Sequence, residues 1–181
     1  MMNKWNNRFL EMAYLVSSWS KDTSCKVGCV IADSENKVVS CGYNGFPSFI
    51  KDKENVLNDK ELKNTLTYHA EHNALNIMND VYMSFKPPFK MYITHVTCFK
   101  CALEIILSNC NFIDEIYFEH TGSQRFLERY QIERAIETLL NHDFKIYQYR
   151  GNSNGWVNIS GYSQIQNSRK RIENCHSSGT A

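Results

Sequence analysis

A chain of 181 residues has room for one domain with an ample core and a short appendage. Hydrophobic residues make up 43% and aromatic residues 13%, which indicates a folded globular protein and argues against a disordered chain. A formal net charge of +1 gives no general electrostatic attraction to DNA, RNA or an anionic membrane, and no apolar run is long enough to span a bilayer.

Seven cysteines are an odd number, scattered through hydrophobic segments and not spaced as a disulfide framework. With no secretory signal evident, this predicts a reducing, cytoplasmic setting with free thiols. Trp5, Phe9, Met12, Ala13, Val16 and Trp19 recur at helical spacing, so a first amphipathic helix is expected from about Trp5 to Trp19. Val27 to Ala32 reads as a buried strand, Asp33 to Asn36 as a turn, and Lys37 to Gly42 as the returning strand of a hairpin. The stretch Gly42-Tyr43-Asn44-Gly45-Phe46-Pro47 then reads as a strand end entering a tight turn. Its glycines are expected to supply positive φ or close backbone approach, and Asn44 to tolerate left-handed geometry.

Ser48 to Leu66 is polar and charge-dense, either a partly helical insertion covering one side of a site or a solvated surface loop. A helix is expected from Tyr68 to about Met78, with His69 in its first turn and Ala70, Asn73, Ala74 and Ile77 facing inward. Pro87-Pro88 stops what precedes, Met91 to Thr94 is a short buried strand, and a second helix opens on the cysteine pair and runs from Cys98 to about Ser108. A fourth strand over Glu115 to Phe118, one helix from Gln124 to Leu140 and a fifth strand over Phe144 to Tyr149 complete the pattern. A helix between the last two strands makes them parallel through a right-handed crossover. The expected fold is therefore α/β, three layers in the order α-β-α around a five-stranded mixed sheet. The domain should occupy residues 1–150, followed by a polar tail over 151–181 that docks, if anywhere, through Trp156.

The chemistry is concentrated in two segments, His69-Ala70-Glu71 and Cys98-Phe99-Lys100-Cys101. One imidazole and two thiolates provide three zinc ligands, leaving the fourth tetrahedral position for water, as in catalytic and not structural zinc sites. Glu71 then stands beside the metal as a proton shuttle, and this combination marks zinc-dependent base deaminases. Both segments open helices that follow neighbouring strands, so the ligands can converge on one sheet edge, where helix amino termini favour thiolates. The cysteine pair alone would equally suit a structural knuckle or a redox pair. A closed site would need a fourth ligand such as His72, His95 or Cys110, and His72 should point to a different side of its helix from His69. Cys25, Cys29, Cys41, Cys110 and Cys175 lack metal spacing and read as small buried hydrophobes. His95, His120 and His142 read as surface or core residues.

These motifs, with Ser20-Lys21-Asp22, Lys26-Val27-Gly28, Ser34-Glu35-Asn36-Lys37 and the Gly42 to Pro47 stretch, resemble the deoxycytidylate (dCMP) deaminases over roughly residues 10–150. The resemblance implies a cytidine-deaminase-like fold, zinc, hydrolysis of dCMP to dUMP, and a homo-oligomer, commonly a hexamer, activated by dCTP and inhibited by dTTP. It implies that Asn44, Ala70 and Thr97 contact substrate and that Gly42, Tyr43, Asn44 and Gly45 help form an effector site. Thr97 stands where the family usually has proline, and His72 where it has an aliphatic residue. No cysteine or histidine lies between Pro47 and Thr67, so the second zinc of some relatives is not expected. The segment Glu119 to Arg125 matches poorly, leaving Lys21, Lys26 and Arg125 as candidate phosphate contacts, each of which reads more readily as a plain surface charge. Two other readings remain: a deaminase of dCTP, cytidine or tRNA adenosine, the last disfavoured by the weak net charge, and a zinc-stabilised nucleotide-binding regulator without turnover.

Overall fold

The computed structural model describes residues 4–47, 59–108, 112–120, 122–151 and 155–159. Helix α1 (Lys4–Ser17) buries Phe9, Leu10, Ala13 and Val16 along one face. A Cβ on Gly28 would fall 2.0 Å from the Ala13 carbonyl oxygen, so a glycine there lets α1 lie directly on the sheet. The helix stops two residues short of Trp19, which is 53% exposed where the periodicity had placed it inward. Its indole instead meets the Tyr43 ring edge-on at 6.1 Å.

Strands β1 (Gly28–Ala32) and β2 (Val38–Tyr43) form the expected antiparallel hairpin. Asp33 Oδ1 accepts from the Glu35 and Lys37 N–H groups, and Asn36 takes the left-handed conformation at φ 64°, so the turn is locally encoded. Helices α2 (Lys60–Leu66) and α3 (Ala70–Val81) follow, then β3 (Phe89–His95), α4 (Phe99–Leu107) and β4 (Ile113–His120). After β4 come α5 (Gln124–Arg129), α6 (Ile132–Leu140), β5 (Lys145–Tyr149) and β6 (Trp156–Asn158).

The sheet order is β2-β1-β3-β4-β5-β6, with β3, β4 and β5 parallel and the other pairings antiparallel. One face packs Cys29, Ile31, Met91, Ile93, Ile116 and Phe118 against α3, α4 and α6. The opposite face packs Val30, Tyr92 and Tyr117 under α1. The alternation along β3 follows from the two-residue period of a strand. The three-layer α/β fold is as expected, with six strands and not five.

A sixth strand continues the sheet past residue 150. Trp156 donates its indole N–H to Asn7 Oδ1 at 2.7 Å and stands edge-on to Tyr117 at 5.0 Å. Three residues of strand carry no legible alternation, and they are held by pairing with β5 together with this contact to α1, remote in sequence. Residues 160–181 of the expected tail, and 48–58 of the insertion, lie outside the described residues. Among the described residues no helix is long and apolar enough to cross a membrane.

Two further expectations are corrected. Ile77 is 48% exposed, and α3 turns Ala70, Glu71, Ala74, Leu75 and Met78 inward. The stripe starts on the buried Glu71, a polar residue that periodicity of apolar residues cannot register. The single helix over Gln124 to Leu140 is broken at Gln131, left-handed at φ 50° and ψ 48°. That break lets the Tyr130 carbonyl accept from the Phe99 N–H at 3.1 Å, satisfying one of the free N–H groups at the start of α4.

Candidate active site

His69 is the residue before α3, and Cys98 the residue before α4. Both leave extended backbone just as a helix begins, so their side chains turn back over the amino ends of adjacent helices at the carboxyl side of the sheet. His69 thus sits one residue ahead of the helical turn expected for it. His69 Nδ1 lies 3.4 Å from Cys98 Sγ and 3.3 Å from Cys101 Sγ, and all three donor atoms fall within 4.8 Å of one another. Cys98 Sγ also accepts the Cys101 N–H at 3.4 Å.

Electrostatics follow from this crowding. Hydrogen bonding from Cys101, with help from His69 and the backbone, pulls the Cys98 thiol down to about 4 against the opposing effect of burial. Cys101 is pushed well up, because its thiol keeps its proton to donate it to the Cys98 sulfur and burial disfavours a second thiolate. The hydrogen bond to Cys98 raises His69 to about 9. The cluster without metal therefore holds protons on His69 and Cys101 that a cation would displace. Glu71, in the first turn of α3 and only 3% exposed, is raised by burial, opposed by the charge on His69.

A cavity of about 220 Å³ opens over Glu71, His69 and Cys98. Asn44 and Ala70 line it, while Thr97, 2% exposed, lies buried beside Glu71 and does not. Asn44 accepts from the Val27 N–H at 2.8 Å and donates to the Cys25 carbonyl at 2.8 Å, so its amide fixes the 25–27 loop while facing the cavity. It does so without left-handed backbone, and neither Gly42 nor Gly45 has positive φ. Gly42 serves close approach instead: a Cβ there would meet the Ala70 oxygen and the Ala74 nitrogen of α3 at 2.5 Å each. Gly45 bridges to Tyr68, and the Tyr43 carbonyl accepts from Asn73 Nδ2 at 2.8 Å. Lys21, Lys26 and Arg125 are exposed and do not line the cavity.

Sequence reading missed several wall residues. Asp22 appeared only as part of a quoted stretch, His95 only as a possible fourth ligand or a surface or core residue, and Asn64, Phe126, Arg129 and Tyr130 were not singled out. His72 does turn away from the ligand cluster, pairing with Glu104 Oε2 at 3.0 Å across to α4. All five cysteines among the described residues are free.

Residues 3–119 match the cytidine and deoxycytidylate deaminase zinc-binding region. The chain belongs to this family. It is 36% identical over 130 residues to an uncharacterized deaminase in the luxG 3′ region of Aliivibrio fischeri, covering 72% of this chain and 82% of that protein. It is 35% identical over 120 residues to human deoxycytidylate deaminase, covering 64% of each chain. Among solved structures, the dCMP deaminase of cyanophage S-TIM5, crystallised with dCMP and dUMP, superposes with a TM-score of 0.64 at 22% identity. That match covers 82% of this chain and 98% of the phage chain, and shows a shared fold.

The zinc of this family fits the residues present. Tetrahedral zinc with ordinary Zn–N and Zn–S bonds separates nitrogen from sulfur by about 3.5 Å. The two measured separations, 3.4 and 3.3 Å, are close to that value. Among the described residues no fourth histidine, cysteine or carboxylate joins the group, so His69, Cys98 and Cys101 would hold the ion with one position open.

Proposed function

We propose that this deaminase hydrolyses dCMP to dUMP, with Glu71 as the proton carrier and His69, Cys98 and Cys101 as the zinc ligands. The observation that carries the reading is a buried glutamate at the floor of a cavity, two residues from one member of a three-donor metal group. The substrate follows from the relatives named as deoxycytidylate deaminases. When bound, zinc polarises water and lowers its pKa from 15.7 towards about 7.

The protein's own residues supply the rest. Hydrolysis exchanges the 4-amino group of cytosine for the oxygen of water and releases ammonia. One proton must travel from that water to ring N3, and another to the departing amine. The Glu71 carboxylate takes the first from water and hands it to N3, then takes the second from the new hydroxyl on C4 and hands it to the amine, leaving the C4 carbonyl and ammonia. Burial raises its affinity for the proton between these steps. Asn44, Ala70 and Thr97 are assigned to the substrate wall; the first two line the cavity and Thr97 is buried beside Glu71.

The test is ammonia release from dCMP, CMP, dCTP and cytidine side by side, with and without dCTP and dTTP. Preference for dCMP is expected, and turnover of cytidine or dCTP in its place would refute the substrate. Control by dCTP and dTTP and assembly as a homo-oligomer belong to the same reading. They are supported by the open edge at β2 and by Tyr43, 39% exposed beside Trp19. A zinc protein without turnover would bind dCMP and release no ammonia.

A further inference from the structure

We infer that Arg129 is the specificity-determining residue of this site, reading the phosphate of the substrate and so selecting a nucleotide over its nucleoside. The assignment rests on the reading of the site as a dCMP deaminase. Among the described residues, Arg129 is the only lysine or arginine lining the cavity over Glu71. Lys63, which stands behind the wall residues Asp22 and Ser24, is 7% exposed and committed to Asp22 at 3.0 Å and to Ser24 Oγ at 2.9 Å. Asp22, the other charged wall residue besides Glu71, is neutralised by that same lysine. Arg129 has no carboxylate partner among the described residues, and its guanidinium rests on the face of the Tyr130 ring at 5.5 Å.

Its placement is set by packing that reaches the metal group. Tyr130 stands edge-on to the His69 imidazole at 6.1 Å and against Phe126 at 4.6 Å, and Phe126 meets His95 at 4.9 Å. These rings form one wall of the cavity, and Arg129 caps it one ring away from the metal-binding imidazole. The same residue borders a second cavity, of about 330 Å³, that shares His69 and Cys98 with the first. A pyrimidine directed at Glu71 would lay its sugar along this wall and bring its phosphate to the mouth. A guanidinium there offers paired N–H donors that match two phosphate oxygens. The left-handed Gln131 fixes the end of α5 at this spot and ties the Tyr130 carbonyl to Phe99 of the metal-binding helix α4.

The experiment compares kcat/KM for dCMP and deoxycytidine in the zinc-loaded full chain, in Arg129→Gln and in Arg129→Lys. Arg129→Gln is expected to lower the dCMP-to-deoxycytidine ratio roughly 10- to 100-fold, with Arg129→Lys intermediate. The ratio of inhibition constants for dUMP and deoxyuridine gives the same readout where deoxycytidine turns over too slowly to follow. Parallel loss on both substrates, or an unchanged ratio, overturns the assignment. A glutamine variant that does not fold leaves the unmodified protein as the test: equal inhibition by dUMP and deoxyuridine there also overturns it. Absence of ammonia from dCMP with the unmodified protein defeats the functional reading itself. An unchanged ratio alongside good dCMP turnover defeats only the role of Arg129.

Discussion

Asp22→Asn and Lys63→Met, made singly and together, test whether one shielded ion pair holds α2 in place as a wall of the site. Asp22 Oδ1 accepts from Lys63 Nζ at 3.0 Å, from Ser24 Oγ at 2.6 Å, and from the N–H groups of Ser24 at 2.7 Å and Cys25 at 3.2 Å. Only 8% of the lysine side chain and 11% of the aspartate side chain is exposed, so the range of about 0–1 kcal/mol for surface pairs does not apply. Asp22→Asn preserves shape and acceptor oxygen but leaves a shielded ammonium against a neutral amide, for an expected loss of about 2–4 kcal/mol. Lys63→Met keeps the apolar stem and leaves Asp22 its remaining donors, for a loss of about 1–2 kcal/mol. The double variant removes both charges and should lose no more than Asp22→Asn alone, a coupling of about 1–2 kcal/mol. Urea denaturation of zinc-saturated protein at pH 7 reads all four states. Burial pushes the Asp22 carboxyl up, but the hydrogen bonds from Ser24, Lys63 and Cys25 together outweigh it and hold the group below its ordinary value. A folded value below the unfolded one means the stabilisation is complete above the unfolded value of roughly 3.9 and is lost as pH falls through the folded value. The coupling should therefore shrink in acid. Single losses that add to within about 0.3 kcal/mol at pH 7 would refute the latch.

Glu71→Gln should lower kcat on dCMP by roughly 10²–10⁴-fold while zinc content, read by atomic absorption, stays unchanged; retained turnover would remove Glu71 from the chemistry. Chelation should unload the metal and lower the melting temperature, and His69→Ala should copy the chelated protein. Because His69 is raised to about 9, Cys101 lies well up and Cys98 is down near 4, reloading zinc at pH 7 should release about two protons. Calorimetry in buffers of different ionisation enthalpy counts them, and the number should fall as pH rises through the His69 value. Gly42→Ala would drive a methyl into the α3 backbone and should cost about 1–3 kcal/mol in chemical denaturation; a neutral outcome would mean α3 can shift freely.

The metal group was legible because its spacing is local. A helix start converts His69-Ala70-Glu71 and Cys98 to Cys101 into fixed directions, and β2 and β3, both antiparallel to β1 and so pointing the same way, lay those starts on one sheet edge. The hairpin was legible for the same reason, since Asp33 and Asn36 write their own turn. The charge-dense insertion read either as a partly helical cover over the site or as a solvated loop, and neither reading foretold the burial of Lys63, whose partner lies 41 residues earlier where no pattern in the insertion records it.

The amino-acid sequence by itself determined the fold class, the three donor residues, the glutamate beside them and the two helices that present them, because each segment carries its own period or spacing within a few residues. Tertiary structure alone decided the sixth strand, the break at Gln131, the burial of Lys63 and the arrival of Arg129 at the cavity. Each of those depends on a partner distant in the chain, such as Asn7 for Trp156 or Phe99 for Tyr130. Contacts of that kind are settled by packing between layers, which leaves no period for a linear reading to find.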